Sequence, residues 1–416
     1  MSENSRNVSF YDRPNVEKDI IPIGEGVPIG LEGVYSKELG IGGAYGSWGH
    51  SYSNESLPSF VEERIGEPLR PDDILNLSDL GFDFRQHIQD LSEEDHLKLE
   101  LEVGARLLRR AIQVCGWQAN EVEGVLIGMS GPVSHDYVSR ISQMAGIPES
   151  ALKVSVHKAC DGSMGGLHLA LNPRLAKAGE VNIAEELKGK KVLVGGIEGL
   201  SRFTAGVKDK NALQLFGNGM GVLGVIPNET MKFLVGKSFE NYDEEGLLAV
   251  KMYYPHSRPD DTSSDSLVDV IQEDSSHIRI SGLMHEPEDG ASIEMAGLMG
   301  MVKLFVRTGV QVVEDVYKDY HSLMDKLGQS GKAITTGVVH HANYKINALK
   351  AKHLSKLGIN FPMPWILHDF GNVSAASNVI SFLRQLPNIK LGDHIMFDGF
   401  GAGTYYDVMA VQMGNG

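Results

Sequence analysis

The sequence contains two matched segments about half its length apart, and this internal repeat constrains the fold more than any other feature. The first reads MAGIPESALKVSVHKACDGS over 144–163, and the second reads KLGINFPMPWILHDFGNVSA over 356–375. Cys160 and Asn372 each lie thirteen residues after the isoleucine of their segment. Each pattern predicts a helix that ends at glycine, a strand, and a sharp turn into a helix of small residues. A repeat this long predicts two similar halves that face each other.

The repeat also predicts where polar side chains meet. The upstream parts match as well, because GVLIGMS begins at Gly124 and GVVHHAN at Gly337, 23 and 22 residues before the two isoleucines. One half would deliver Cys160 to the shared centre, and the other would deliver His340 and Asn372. A nucleophile with two polar partners indicates a catalytic site rather than a purely structural repeat.

Composition excludes several classes of protein. The 416 residues are 42% hydrophobic and 22% charged, which is typical of a globular enzyme with a large core. A net charge of −16 argues against nucleic acid as the main ligand. Two cysteines, Cys115 and Cys160, suggest neither a disulfide framework nor a thiolate metal site, and no metal is expected. A polar N-terminus without an apolar signal region and the lack of any run of about 18 apolar residues predict a cytoplasmic protein without a membrane span.

The chain divides into four parts on composition. We predict an N-terminal extension over 1–40, one half over 41–225 and a second half over 226–416, with an acidic, serine-rich surface insertion over 242–290.

Periodicity predicts the elements within these parts. Residues 97–115 have helical spacing, and so do residues 292–317. The runs GVLIG and KKVLVGGIEGL predict buried parallel strands, and residues 55–90 predict helix and loop. Alternating strands and helices in two halves predict a layered α/β fold.

Cys160 follows an apolar strand and precedes GSMGGLHLALN, which predicts a helix. A thiol at a helix N-terminus has a lowered pKa and a larger thiolate fraction. The alternative is a buried, inert cysteine, which is also the interpretation of Cys115 inside its amphipathic helix. For His340 the alternative is a hydrogen-bonded strand-end histidine, and for Asn372 it is a helix N-cap.

Two further patterns bear on ligands. The run GFGAGTYYD, from Gly399, could bring a backbone N–H to a reacting carbonyl as an oxyanion donor, or it could be a tight strand turn. FGNGMG lacks the full spacing of a dinucleotide loop. The helix after His340 carries Lys345, Lys350, Lys352 and Lys356 and no acid. Of these, Lys345, Lys352 and Lys356 share one face, which is either a solvated face or a docking site for an acidic carrier protein or a phosphate.

Together the ACDGS turn, HHAN, GNVSAAS and the terminal FGAG resemble the β-ketoacyl-acyl carrier protein synthase III family of the thiolase-like superfamily. GGIEGLSR and FGNGMG lie between them in the order of the family, and the resemblance runs from about Ile41 to Gln412. It implies a thiolase-like five-layered αβαβα fold with two pseudo-repeated halves. It also implies a homodimer that binds no permanent cofactor and takes CoA or phosphopantetheine thioesters as substrates.

The resemblance implies a role for each matching residue. Cys160 would be the acylated nucleophile, and His340 and Asn372 would stabilise the enolate of the extender thioester. The backbone amides of Cys160 and Ala402 would form the oxyanion hole. Asn343 would lie near the pantetheine arm.

Partners would meet other parts of the chain. The Lys345 face would meet acyl carrier protein or CoA phosphate. The partner subunit's tunnel loop would correspond to 131–138, with Ser134 and His135 nearest the tunnel.

The sequence departs from the family at several positions. LSDLGFDFRQHI lacks the upstream Trp and Arg that hold the CoA adenine, and Asn218 replaces an Asp. His157 and Lys158 stand where small apolar residues are common, so they either act on the thiol or a substrate or pair with acids away from the pocket.

Three functions follow from these residues. The first is decarboxylative Claisen condensation with a malonyl-thioester to give a β-ketoacyl product. The second is acyl transfer to a hydroxyl or amine, or condensation without decarboxylation. The third is a non-catalytic partner subunit.

Overall fold

The structure is a computed structural model, and it contains ten α-helices within the residues that it describes. These residues are 8–130, 134, 136–176, 181–205, 210–240, 269–272, 277–281, 305–401 and 405–414. The helices are α1 Leu57–Ile65, α2 Glu93–Val114, α3 Tyr137–Met144, α4 Gly162–Leu171, α5 Ile183–Leu187, α6 Leu200–Ala205, α7 Lys210–Leu215, α8 Arg307–Lys326, α9 Tyr344–Lys356 and α10 Ser377–Gln385. None of them is long and apolar enough to cross a membrane, as far as the described helices extend.

Fifteen described strands form three sheets. The strands are β1 Glu17–Ile21, β2 Val27–Ser36, β3 Ile41–Trp48, β4 His50–Ser53, β5 Phe84–His87, β6 Val122–Gly128, β7 Leu152–His157, β8 Lys191–Glu198, β9 Gly219–Val225, β10 Met231–Glu240, β11 Asp269–Gln272, β12 His277–Ser281, β13 Ile334–Val339, β14 His394–Gly401 and β15 Tyr405–Met413. The nine-stranded sheet has the order β1-β2-β3-β9-β8-β6-β7-β12-β11, and the four-stranded sheet has the order β10-β15-β14-β13. Strands β4 and β5 form a separate pair.

The two large sheets repeat one arrangement. In the first, β3 and β9 are antiparallel, β9 and β8 are antiparallel, and β8 and β6 are parallel. In the second, β10 and β15, β15 and β14, and β14 and β13 follow the same sequence of directions. The internal repeat predicted from the sequence is therefore confirmed in the sheet topology.

One strand of the repeat is missing from its second copy. The first segment forms β7 as predicted, but residues 359–368 form no strand, so the strand prediction is wrong there. Pro362 and Pro364 have no N–H to donate to a sheet ladder. The segment still lies beside β13, because the Gly337 N–H donates to the Pro362 carbonyl at 2.7 Å.

Alternating side chains build five layers. Helices α2 and α3 pack on the outer face of the nine-stranded sheet, where Val125 and Leu193 point. On its other face Leu126 and Val194 meet α4 and α10, which also contact the four-stranded sheet. Helices α8 and α9 cover the far side of that second sheet. The αβαβα layering of the thiolase-like fold is present, and all ten residues of α4 are buried in its centre.

Three sequence predictions about the periphery differ from the structure. Residues 1–40 contain β1 and β2, which extend the first sheet at its edge. The 242–290 insertion lies mostly outside the described residues, but its strands β11 and β12 join the same sheet, with β12 parallel to β7. Residues 55–90 include β5 in addition to helix and loop.

The predicted helices are present with shifted bounds. The 97–115 pattern forms α2, which begins at Glu93 because the Ser92 side chain accepts the Asp95 N–H. The 292–317 pattern is realised from Arg307 as α8, and residues 292–304 lie outside the described part. The runs GVLIG and KKVLVGGIEGL form the parallel pair β6 and β8, as predicted.

Candidate active site

Cys160 lies in a tight turn between β7 and α4. Residues Ala159–Asp161 form a 3-10 turn, and Ala159 has a φ of 48°, a left-handed conformation that costs free energy for a residue with a Cβ. The Cys160 side chain is partly exposed, and it is not part of a disulfide. The turn therefore presents the thiol at the N-terminal end of a buried helix, as the sequence predicts.

Two glycines bring the end of β14 against this turn. A Cβ on Gly401 would lie 3.0 Å from the Cys160 amide nitrogen, and a Cβ on Gly399 would lie 2.0 Å from Asp161 Oδ1. Only glycine allows backbones to approach so closely. The GFGAG run is thus the neighbour of the nucleophile turn, although Ala402, the predicted oxyanion donor, lies outside the described residues.

His340 follows β13 and contacts the same part of β14. Its ring packs edge-on against Phe400 with 4.9 Å between ring centroids. The backbone N–H of His340 donates to the Asp398 carbonyl at 3.0 Å. Phe400 precedes Gly401, so β14 connects His340 to the Cys160 turn. Two of the three predicted catalytic residues, one from each half, therefore lie against the end of β14.

Ser377 at the start of α10 holds the imidazole of His340. Its Oγ lies 2.5 Å from His340 Nδ1 and accepts the His341 N–H at 3.4 Å. The hydroxyl is thus close enough to share a hydrogen bond with Nδ1, which leaves Nε2 as the ring nitrogen that this contact does not use. Burial, and then the nearby charges of His341 and Lys350, lower the pKa of His340 to about 3, so the ring is neutral at physiological pH.

Asn372 lies in the turn before α10. Its Oδ1 accepts the Ser374 N–H at 2.9 Å in an Asx turn. The N-cap positions are Val373 for the 3-10 turn and Ala376 for α10, so Asn372 is not the helix N-cap considered from the sequence. No hydrogen bond from its Nδ2 reaches another described residue. The turn is anchored by the Asn372 N–H, which donates to the Leu215 carbonyl at 3.0 Å.

The turn around Asn372 is the counterpart of the Cys160 turn, with an offset. Ser374 has a φ of 46° and opens a 3-10 turn before α10, as Ala159 does before α4. Matching these two residues pairs Cys160 with Ala375, three positions beyond Asn372. Counting along the sequence therefore finds the turn but does not give the residue-by-residue equivalence, because the strand before it has been replaced by irregular chain.

A buried glutamate joins the two halves beside Asn372, and the sequence analysis did not single it out. Glu198 Oε1 accepts the N–H and the Oγ–H of Ser130, both at 2.7 Å, and the Ala375 N–H at 3.3 Å. Burial, partly offset by these hydrogen bonds, raises the pKa of Glu198 to about 7. The acidic residue inside an otherwise apolar strand, GGIEG, was the available signal.

Lys158 pairs with a buried acid, which is one of the two alternatives left open by the sequence. Its Nζ forms a buried ion pair with Asp407 on β15 and donates to Ser238 Oγ at 3.0 Å. Asp407 also lies 2.7 Å from His168 Nδ1 on α4. Burial raises the pKa of Asp407, but the Lys158 ammonium, the His168 ring and the hydrogen bond with Asp161 together outweigh burial and lower that pKa. Burial, and next the Asp407 charge, raise the pKa of Asp161.

A second buried pair lies behind His340. Lys350 on α9 donates to Asp398 Oδ1 at 2.7 Å and lies 4.7 Å from the Phe400 ring centroid. Lys350 is therefore not part of the solvated lysine face suggested by the sequence, whereas Lys345, Lys352 and Lys356 are exposed. His341 points to the opposite side from His340, where it lies against Trp365.

The remaining predicted residues are placed as follows. Asn343 is buried and caps α9, where its Oδ1 accepts the Ile346 N–H at 3.0 Å. Lys345 lies 3.5 Å from Asp79 on the surface. Ser134 precedes α3, and its carbonyl accepts the Tyr137 N–H at 3.2 Å. His135 and residues 131–133 lie outside the described part.

Two other residues have structural roles. Cys115 ends α2, and burial raises the pKa of its thiol to about 12, which supports the inert interpretation. Asn218 accepts the Ser201 N–H and donates to the Trp48 carbonyl, so its amide is engaged on both sides.

Comparison with known proteins finds sequence similarity to synthases of one type. A family profile for the C-terminal part of 3-oxoacyl-[acyl-carrier-protein] synthase III matches residues 324–413. A β-ketoacyl-[acyl-carrier-protein] synthase III of Halalkalibacterium halodurans is 26% identical over 310 residues, which is 73% of this chain and 80% of that protein. The enzyme of the same name from Prochlorococcus marinus is 25% identical over 325 residues, 75% of this chain and 82% of that protein.

Solved structures agree on the fold. The 3-oxoacyl-[acyl-carrier-protein] synthase III of Aquifex aeolicus superposes with a TM-score of 0.58 at 17% identity, covering 95% of this chain and all of that one (100%). The 1,3,6,8-tetrahydroxynaphthalene synthase of Streptomyces coelicolor, a type III polyketide synthase, gives 0.59 at 13% identity, covering 89% of this chain and 98% of that one. At such identities these matches establish the architecture alone.

Proposed function

We propose that this chain is a member of the β-ketoacyl-acyl carrier protein synthase III-like family within the thiolase-like superfamily and that it catalyses decarboxylative Claisen condensation, as its similarity to enzymes of that name supports. The substrates would be an acyl-thioester primer and a malonyl-thioester extender, and the product a β-ketoacyl thioester. Three residues carry the chemistry in this proposal: Cys160, His340 and Asn372.

The first half-reaction is acylation of Cys160. Its thiolate attacks the thioester carbonyl of the primer, and the CoA or phosphopantetheine thiolate leaves as the new thioester forms. The oxyanion of the tetrahedral intermediate needs donors that are already in place. We assign these to the amides of Cys160 and Ala402, and the close approach of Gly401 to the Cys160 amide supports this assignment.

The second half-reaction forms the carbon–carbon bond. Loss of CO₂ from the malonyl-thioester leaves an enolate, whose oxygen accepts hydrogen bonds from His340 Nε2 and Asn372 Nδ2. The enolate carbon attacks the acyl-Cys160 carbonyl, and the tetrahedral intermediate then expels the Cys160 thiolate. Donors fixed before the reaction stabilise the developing charge without reorganisation.

The observation that carries this proposal is the environment of His340, whose buried, neutral ring has Nδ1 2.5 Å from Ser377 Oγ. In this proposal the Ser377 hydroxyl donates to Nδ1, so the ring proton is on Nε2. A neutral imidazole with its proton on Nε2 can donate a hydrogen bond to the enolate oxygen at physiological pH without any change of its protonation state. A general base, in contrast, would need an unprotonated Nε2.

The exposed lysines of α9 support a carrier-bound or CoA-bound substrate. Lys345, Lys352 and Lys356 form a basic patch on a chain of net charge −16, so an acidic carrier protein or a CoA phosphate would be attracted locally. Charge reversal at Lys352 and Lys356 should raise KM for carrier-bound thioesters at low salt. Lys18→Glu on β1 is the matched control. If it raises KM as much as the charge reversals on α9 do, α9 is not the docking surface.

The buried position of Lys158 weighs against acyl transfer to a hydroxyl or amine. That alternative was motivated by His157 and Lys158, but Lys158 is engaged by Asp407 and Ser238, and His157 is buried too. Condensation is thus the better-supported reaction. A homodimer whose partner loop over 131–138 closes the acyl tunnel remains part of the proposal, and its test is the mass of the native protein in solution.

Intact-protein mass spectrometry tests the first half-reaction. The protein is incubated with acyl-CoA and acyl-carrier thioesters, and we expect one acyl adduct that is lost in Cys160→Ala and kept in Cys115→Ala. The Cys115 variant is a matched control, because it removes the other thiol of the chain. No adduct from any donor would favour a non-catalytic partner subunit.

Addition of malonyl-thioester tests the second half-reaction. We expect release of CO₂, disappearance of the adduct and a β-ketoacyl product. Asn372→Ala should load normally and release CO₂ slowly. An adduct that persists with malonyl-thioester but is discharged by an alcohol or amine would contradict condensation.

A further inference from the structure

The Asn372 turn is held in a strained conformation. Ser374 has a positive φ of 46° although it carries a Cβ, and such backbones persist only where surrounding contacts enforce them. Its N–H donates to Asn372 Oδ1 at 2.9 Å, so the Ser374 backbone fixes one end of the Asn372 amide. Any relaxation of Ser374 would therefore rotate the amide of Asn372.

Glu198 supplies the contacts that enforce this turn. Its carboxylate binds the Ala375 N–H at 3.3 Å and both donors of Ser130 at 2.7 Å. Ser130 Oγ lies 2.6 Å from Ser374 Oγ, which closes a path from the carboxylate to the strained residue. Glu198 is 1% exposed, so these hydrogen bonds are made without competition from water.

The path crosses between the halves of the chain. Glu198 ends β8 and Ser130 follows β6, both in the first sheet, whereas Ser374 and Ala375 belong to the turn before α10. The first half thus determines the geometry of a side chain that the second half contributes. A Cβ on Gly196, two residues before Glu198, would lie 2.4 Å from the Ala375 carbonyl oxygen, so the contact between the halves is tight.

We propose that Glu198 is a positioning residue that acts through Ser130 and Ser374 to orient the Asn372 amide for the condensation step. The proposal rests on the proposed function, in which Asn372 Nδ2 donates to the enolate oxygen. Cys160 acylation does not use that amide. Loss of Glu198 should therefore slow condensation selectively, whereas a general loss of structure would slow both half-reactions.

The test compares the two half-reactions in Glu198→Gln. The half-reactions are compared at about pH 8, above the pKa of Glu198, so that its carboxylate is ionised. Gln keeps the shape but loses the charge, and hydrogen bonds to a charged acceptor are about twice as strong as neutral ones. We expect Cys160 loading within about 2-fold of the unaltered protein and CO₂ release slower by about 10-fold. Glu100→Gln is the matched control, because Glu100 is also a buried carboxylate but binds Arg202 instead. Its ratio of loading to condensation should not change.

Ser374→Ala keeps the test valid if Glu198→Gln does not fold, since it interrupts the same path without removing a buried charge. The double variant should be no slower than the slower single one, because both changes break one path. Equal slowing of loading and condensation, or additive effects in the double variant, would overturn the proposal. If the unaltered protein itself neither loads nor releases CO₂, the proposed function fails first, which is a separate outcome.

Discussion

Replacing Gly401 by alanine tests whether the close contact between β14 and the nucleophile turn matters for catalysis. The added Cβ would lie 2.7 Å from the Lys158 carbonyl oxygen, 2.9 Å from the Asp161 nitrogen and 3.0 Å from the Cys160 nitrogen. All three are backbone atoms, so no change of side-chain rotamer relieves the overlap. The turn that carries the thiol must move.

The size of the movement follows from these distances. Ordinary contact begins at 3.4 Å, so relief of the 2.7 Å contact requires a displacement of about 0.7 Å. Overpacking of this kind costs about 1–3 kcal/mol of the free energy of unfolding. A misplacement of about 1 Å at a reacting group costs about 100-fold in rate. We expect acylation of Cys160 to slow by about 10- to 100-fold.

The assay is the rate of acyl-adduct formation by mass spectrometry, with urea denaturation measured on the same samples. Gly331→Ala is the matched control, because no atom lies within 4 Å of a Cβ at that exposed position. Gly401→Ala with an unchanged loading rate and unchanged stability would refute the argument that this contact positions the nucleophile.

Three other changes have expected outcomes. Asp407→Asn leaves the buried Lys158 ammonium without its counter-charge and should lower the free energy of unfolding by about 3–5 kcal/mol in urea denaturation, whereas a small loss would contradict the buried pair. Ser377→Ala removes the hydroxyl beside His340 Nδ1, so CO₂ release should fall by about 10-fold while loading is kept; equal loss of both would count against the proposed tautomer with its proton on Nε2. The pKa of His340 is lowered from 6.5 to about 3, so between these pH values the His340 ring is protonated in the unfolded chain and neutral in the folded one. The stability that the neutral His340 contributes is therefore present above pH 6.5 and is lost as pH falls towards 3. From pH 6.5 to 5 the loss due to His340 should be about 2 kcal/mol. His340→Gln should make that part of the stability profile less steep without flattening it, because burial also lowers the pKa of His341 and of His87 to about 3.

The sequence predicted the parts of the fold that depend on local pattern. The apolar runs that form β6 and β8 and the spacing of α2 are local, and the repeat extended this information to the second half. The irregular chain over 359–368 differed because Pro362 and Pro364 override an apolar pattern that otherwise predicts a strand. The insertion was interpreted as surface from its acidic composition, but pairing of β12 with β7 joins parts of the chain that composition does not relate.

The sequence allowed the candidate polar residues to be named, but it did not indicate which residues support them. Cys160, His340 and Asn372 were identified by the repeat and by the family resemblance. The ion pair between Lys158 and Asp407 joins residues 249 apart in the sequence, and no local pattern relates them. The contact of Glu198 with the turn before α10 is equally remote, so only the folded chain reveals it.

The central layer makes the two halves inseparable. Helices α4 and α10 contribute to one apolar cluster with both sheets, so neither half can bury its inner face without the other. Two units that look like separate domains in the repeat are therefore one cooperative unit, with a single unfolding transition expected for the described core. Amide hydrogens of α4 should exchange only through global opening, which makes this helix the natural reporter of the stability of the whole chain.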